Sequence, residues 1–295
     1  PAKRIFKTPA GDTVIDFAQN MAGRIEVTAA GKPGDVIELH CFEVLDKDGN
    51  VYLDNLRAAK ATMKYTFARE ETVTYMGFQY ALIVSYPGEP KAENFTACTL
   101  HSNMASNGSL ECSNPLLNQL HHNFLWGLKS NFLDVPTDCP QRDERLGWTG
   151  DAQLFAQTAM LNFDITSFLE NYIDIMNDYA QQNNNVYGPT MPESGFAGWK
   201  NCGWSDAGVI IPWVVYQETG DARLIEQGYE QMDLYMSSVN SVPDMTDEAS
   251  GYNSVMFGDW LAYSGTSLGC MNALYRIYVT QLMEKMANVI GNEEM

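Results

Sequence analysis

Positive charge is scarce in this sequence. Lys and Arg number 18 against 37 Asp and Glu, a formal net charge of −19 over 295 residues. Phosphate backbones and anionic lipid surfaces are repelled by such a chain, so neither nucleic acid nor a membrane surface is expected as a partner; neutral or cationic ligands are favoured. No apolar run approaches the ~20 residues of a membrane span. Residues 1–7 have no apolar signal-peptide centre behind their basic side chains, and a start at proline suggests a trimmed chain, so the compartment is not read from it. Histidine occurs four times and cysteine six times, and the closest cysteines, Cys98 and Cys112, are 14 residues apart. With no CxxC pair, a Cys/His zinc site is not expected; no metal or cofactor is, and buried free thiols are the default.

Apolar residues make up 45% of the chain and aromatics 12%, a globular composition whose length allows two domains. Residues 1–108 read as β. Ile25-Glu26-Val27 alternates, Lys32-Pro33-Gly34-Asp35 signals a turn, residues 36–41 follow as a strand, and Asp46-Lys47-Asp48-Gly49-Asn50 is a hairpin-type loop. Thr62, Lys64 and Thr66 alternate with Met63, Tyr65 and Phe67, and further β-rich runs occupy 72–75 and 78–84. Short strands with turns at this spacing predict a β-sandwich. The small, polar stretch 102–109 marks the domain boundary, and from residue 109 to 295 the period becomes helical. Asn114-Pro115 opens a first helix; others are predicted near 148–161, 165–181, 207–219, 222–238 and 268–290, with Gly220 and Gly291 as closing glycines. Six helices without strand partners must bury their apolar faces on one another.

Between the helices lie loops rich in Gly, Trp and Asp: 195–199, Gly203-Trp204-Ser205-Asp206 and Phe257-Gly258-Asp259-Trp260. Such loops suit a binding site better than a core. The stretch 137–151 concentrates Asp138, Asp143, Glu144 and Asp151 with Arg142 and Arg145, punctuated by Pro140, Gly147 and Gly150. This composition suits sugar chemistry. A carboxylic acid kept protonated by burial and negative neighbours can protonate a leaving oxygen; carboxylates and arginines can bind hydroxyls; Trp148 can cover an apolar sugar face. Plainer readings use the same residues. Asp151 suits a helix N-cap, Asp143 and Glu144 can pair with Arg142 and Arg145, Asp206 can cap the helix at Ala207, and Trp204 and Trp260 can be core. A hard cation is a further reading, against which the EF-hand spacing is missing.

The stretch Asp134-Val135-Pro136-Thr137-Asp138-Cys139-Pro140-Gln141-Arg142-Asp143-Glu144-Arg145-Leu146-Gly147-Trp148-Thr149-Gly150-Asp151-Ala152 closely resembles the signature of bacterial α-L-rhamnosidases of glycoside hydrolase family 78. Residues 16–23, 52–60 and 77–80 resemble parts of the family's preceding β-sandwich, and 204–209 and 258–261 its barrel loops. The resemblance implies part of an (α/α)6 barrel of twelve helices and hydrolysis of terminal α-L-rhamnosides with inversion. It makes Glu144 the general acid, and Asp138, Arg142, Trp148 and Asp151 rhamnose-binding residues; Trp204, Asp206 and Trp260 carry over from shorter motifs. An inverting enzyme also needs a base that activates water on the other side of the bond. By resemblance that base is a Glu late in the barrel, beyond the counterpart of residue 295. Residues 109–295 supply 187 residues and six helices, whereas twelve helices need well over ~250 residues. A half barrel with uncovered apolar faces predicts self-association or a further C-terminal segment. The isolated chain is then expected to turn over poorly, unless another carboxylate such as Glu193 serves as base. The competing reading is a non-catalytic carbohydrate-binding protein that uses its tryptophans as platforms.

Overall fold

The computed structural model describes residues 1–69, 74–195, 199–241, 252 and 257–292. Thr72 and Val73 of the expected run at 72–75, and residues 196–198 of the expected aromatic loop, lie outside the described residues. Two compact units divide the chain. One is Pro1–Asn103 with Leu110–Arg145, the other Met104–Ser109 with Leu146–Met295.

The first unit is sheet-rich. Its strands are β1 (Arg4–Lys7), β2 (Thr13–Val27), β3 (Val36–Phe42), β4 (Val44–Leu45), β5 (Val51–Tyr52), β6 (Thr62–Thr66), β7 (Met76–Ser85) and β8 (Phe95–Thr99). Six of them join in the order β1-β2-β7-β3-β6, with β8 also on β2, all antiparallel. The expected sandwich therefore hydrogen-bonds as one continuous ladder through β2. That strand pairs with β7 up to Gly23 and with β8 from Gly23 onward. A Cβ at Gly23 would stand 2.1 Å from the Cys98 carbonyl oxygen, so only glycine lets both neighbours approach there. The turn at 32–35 forms as expected, with Gly34 at φ +93° and the Asp35 N–H donating to the Lys32 carbonyl at 2.9 Å. The hairpin β4–β5 closes over Asp46, whose Oδ1 accepts from the N–H groups of Asp48 and Asn50 at 2.9 and 2.7 Å. Ile15, Ile25, Leu39, Phe42, Phe78 and Phe95 are fully buried in the core between these strands. Helix α1 (Pro115–Asn131), capped by the Asn114 side chain, adds Trp126 to this core, and Ser130 Oγ accepts from the Ala22 N–H at 3.2 Å.

After β9 (Ala105–Ser106), which belongs to the second unit, the chain runs through α1 and the short pair β10 (Phe132–Leu133) and β11 (Val135–Pro136). The second unit is helical, apart from β12 (Phe163–Asp164) paired with β9. Its helices are α2 (Thr149–Asn162), α3 (Thr166–Gln182), α4 (Ala207–Thr219), α5 (Arg223–Val239) and α6 (Leu268–Ile290), close to the ranges the apolar period gives. Helix α4 is apolar on every side and buried from Ala207 to Pro212, and it packs against α2, α3, α5 and α6. Gly220 and Gly291 end α4 and α6 in the left-handed region. Among the described residues, no helix is long and apolar enough to cross a membrane. All six cysteines are free, with Cys41, Cys139 and Cys202 buried.

Candidate active site

The first unit contains the front of the carboxylate-rich motif. Residues 137–145 form a loop that rests on the start of β7. Gly77 makes this possible, since a Cβ there would lie 2.9 Å from Gln141 Cβ and 3.0 Å from its backbone nitrogen. Arg145, at φ +54°, holds the far end of the loop. Its guanidinium donates to the Arg142 and Tyr75 carbonyl oxygens, each at 3.3 Å, and lies over the Tyr75 ring. Arg145 thus works as a loop anchor and not as the carboxylate partner that its spacing suggests.

Three side chains of the expected site meet in this loop. Arg142 Nη2 donates to Asp138 Oδ2 at 3.2 Å, and Arg142 Nε lies 2.9 Å from Glu144 Oε2, too poorly aligned for a hydrogen bond. A fourth group comes from 87 residues upstream: Arg57, also at positive φ, donates from Nη2 to Glu144 Oε2 at 2.9 Å and from Nε to Asp143 Oδ1 at 2.7 Å. The Arg57 hydrogen bond holds the Asp143 carboxyl below its usual range. The Glu144 side chain is 20% exposed and sits between two guanidinium groups as well as beside the expected acidic neighbour Asp138. Donor atoms of Asp138, Cys139 and Glu144 lie within 4.8 Å of one another. Burial pushes the Cys139 thiol up to about 11, which makes it a poor ligand near neutral pH, and the Arg142 guanidinium already pairs with both carboxylates. Beside the loop lies a cleft of about 560 Å³ lined by Gln19, Asn20, Trp126, Asp138, Gln141 and Arg142, among others.

The second unit contains the rest of the motif. Trp148 occupies the N-cap position of α2 with extended backbone, bridged to Thr190. Its neighbours fix it: the Thr149 N–H donates to the Pro189 carbonyl at 2.9 Å, and the buried Tyr172 hydroxyl donates to the Gly147 carbonyl at 2.9 Å. Asp151 is exposed in the first turn of α2, not at its cap, a favourable place for negative charge beside the helix N-terminus. The tryptophans assemble around one ring. Phe257 meets Trp204 at 5.0 Å, Trp148 at 5.3 Å and Trp260 at 5.9 Å between centroids, edge to face each time. Trp260 remains 64% exposed. The Trp204 indole lies on Gly150, where a Cβ would come within 2.8 Å of Nε1.

Asp206 departs from the expectation of sugar contact. It is wholly buried; its Oδ1 accepts from the Tyr235 hydroxyl at 2.9 Å and from Tyr252 at 3.1 Å, and its Oδ2 accepts from the Gly203 N–H at 2.7 Å. It stands at the start of α4 yet makes no side-chain cap, so the capping reading fails as well. Burial pushes its carboxyl up to about 6, against the hydrogen bonds that favour its charge. Sequence reasoning missed Arg57, Phe257 as the hub of the indoles, and the tyrosines on Asp206. Only Phe257 had a local signal, as the aromatic that opens Phe257-Gly258-Asp259-Trp260.

Comparison with known proteins gives a consistent result. A family model described as the bacterial alpha-L-rhamnosidase 6 hairpin glycosidase domain matches residues 105–295, and one described as the bacterial alpha-L-rhamnosidase concanavalin-like domain matches 6–101. An alpha-L-rhamnosidase of Streptomyces avermitilis is 35% identical over 301 residues, covering 99% of this chain and 29% of that protein. A crystal structure described as the Streptomyces avermitilis enzyme complexed with L-rhamnose superposes with a TM-score of 0.90 at 32% identity, over 99% of this chain and 29% of its own. The native alpha-L-rhamnosidase of Aspergillus terreus gives a TM-score of 0.91 at 29% identity, over 99% of this chain and 36% of its own. The chain thus spans less than a third of the length of the Streptomyces relative.

Proposed function

The chain belongs to the bacterial α-L-rhamnosidase family, and from that premise we propose that the protein it forms hydrolyses terminal non-reducing α-L-rhamnosides with inversion, Glu144 being the general acid. The observation that carries this reading is the fixed loop at 137–145. Gly77 and Arg145 seat it, and Arg57 and Arg142 hold one oxygen of Glu144. The acid gives its proton as the glycosidic bond breaks, and a water on the opposite face attacks the anomeric carbon while a second carboxylate, the general base, takes the water's proton.

Asp138 and Arg142 are assigned to sugar hydroxyls, where charge-assisted hydrogen bonds discriminate strongly. Asp151 is assigned the same role. Trp148, Trp204 and Trp260 are assigned to the apolar faces of the sugar, including the methyl group of this 6-deoxy hexose. Asp206 is left out of the contact set because no part of it reaches the surface.

The test is Glu144→Gln in the full-length protein, assayed with an aryl α-L-rhamnoside. Loss of turnover of about 100-fold or more is expected, with the fold retained. Wild-type turnover by the variant removes the assignment, and rhamnose binding by a wild type that never turns over favours a non-catalytic carbohydrate-binding protein.

A further inference from the structure

Two side chains hold Gly203 in the loop that bears Trp204. Gly203 donates its N–H to Asp206 Oδ2 at 2.7 Å and accepts from Gln153 Nε2 on α2 at 3.3 Å. Its φ of +81° and the Tyr275 ring, 3.2 Å from where a Cβ would sit, leave this position to glycine. The next residue is Trp204, whose indole rests on Gly150 and against Phe257.

Three donors converge on the Asp206 carboxylate: the Gly203 N–H and the Tyr235 and Tyr252 hydroxyls. A side-chain amide in the same place would offer one acceptor oxygen and set its NH2 group against one of these donors. From this geometry we infer that Asp206 is a positioning residue, which sets the Trp204 indole through Gly203 without touching the ligand.

A proton added to Asp206 turns one acceptor oxygen into a donor, and the groups that donate to that oxygen must turn or give up their bond. The Trp204 loop then loosens. Other titratable or charged groups around Asp206 are Cys202 in the same loop and Tyr275 on α6, with Arg276 of α6 acting on Tyr252. Burial pushes the Cys202 thiol and the Tyr275 and Tyr235 hydroxyls upward, so all three stay neutral across the acid range. Arg276 is held by Asn240 through Nε at 2.7 Å. This leaves the Asp206 carboxyl, raised to about 6, as the group of this cluster that changes charge there.

The inference rests on the sugar-binding reading only for its ligand arm. The experiment is a pH titration of tryptophan emission in this chain, with L-rhamnose affinity measured by calorimetry on each side of the midpoint. The wild type is expected to show a one-proton change near pH 6, and Trp204→Phe to remove it, which identifies the reporter. Asp206→Asn is expected to abolish the transition with far-UV circular dichroism unchanged. Should that variant fail to fold, Tyr252→Phe decides the matter: with one donor gone, its midpoint is expected to rise by about half a pH unit or more. L-rhamnose affinity is expected to fall about three- to tenfold on the acid side of the midpoint in the wild type. A transition that survives Asp206→Asn, or an unmoved midpoint in Tyr252→Phe, overturns the inference. Absence of rhamnose binding by the wild type defeats the sugar reading instead, while the emission midpoint still decides the role of Asp206.

Discussion

A methyl group at Gly77 would have to displace the backbone of Gln141, because its contact distances of 2.9–3.0 Å are shorter than packed carbons tolerate. Gly77→Ala is therefore expected to lower stability by roughly 1–3 kcal/mol and to cut turnover through movement of the loop that bears Glu144; thermal melts and aryl-rhamnoside kinetics check both. Arg57→Ala leaves the loop seated but frees Asp143 and Glu144 from their shared guanidinium. Its kcat is expected to fall on the order of tenfold with KM nearly constant, and the Asp143 carboxyl to return toward its usual range, measurable by NMR titration. Asp206 has the opposite sign. Its folded value near 6 lies above the ordinary 3.8, so its stabilising share is full below 3.8 and lost as pH rises through 6. The loss is about 3 kcal/mol for a shift of this size. Urea unfolding at successive pH values should show that slope in the wild type and a flatter one in Asp206→Asn.

At the scale of elements, α4 is the most constrained piece of the helical unit. Gly208 faces the Tyr187 ring at distances of 2.3–2.6 Å for an added Cβ, and Tyr187 is fully buried. Gly208→Ala is expected to destabilise by ~3 kcal/mol or more, readable as a lower urea midpoint. The helices were legible in the sequence because each carries a strong local signal. α1 has Asn114-Pro115, α4 an unbroken apolar stretch closed by Gly220, and α6 a serine cap and Gly291. The pairs β9–β12 and β10–β11 were not, since two residues hold no period. The strand switch at Gly23 is equally silent, because it depends on where Cys98 arrives. Within the candidate site, the meeting of Asp138, Arg142 and Glu144 was legible, because all three lie in one short charged stretch. Burial of Asp206 did not show, because the tyrosines that enclose it stand 29 and 46 residues away.

Across the whole chain, apolar side chains remain exposed in helical stripes. On α1 these are Leu116, Leu117 and Leu120; on α6 they are Leu274, Ile277 and Tyr278. Stripes at i, i+3 and i+4 usually meet another surface. We expect the 295-residue chain to self-associate, and more so as salt screens its net charge of −19. Sedimentation velocity over a salt series checks this, with Leu120→Glu and Ile277→Glu expected to shift the chain toward monomer. The seat of the loop at 137–145 reaches further. Its floor is Gly77 on β7, and its clamp is Arg57, from the turn after β5. Chimeras that graft the helical region onto a foreign β-module should therefore be catalytically crippled even when both halves fold, and inheritance should keep the two together as a single cassette.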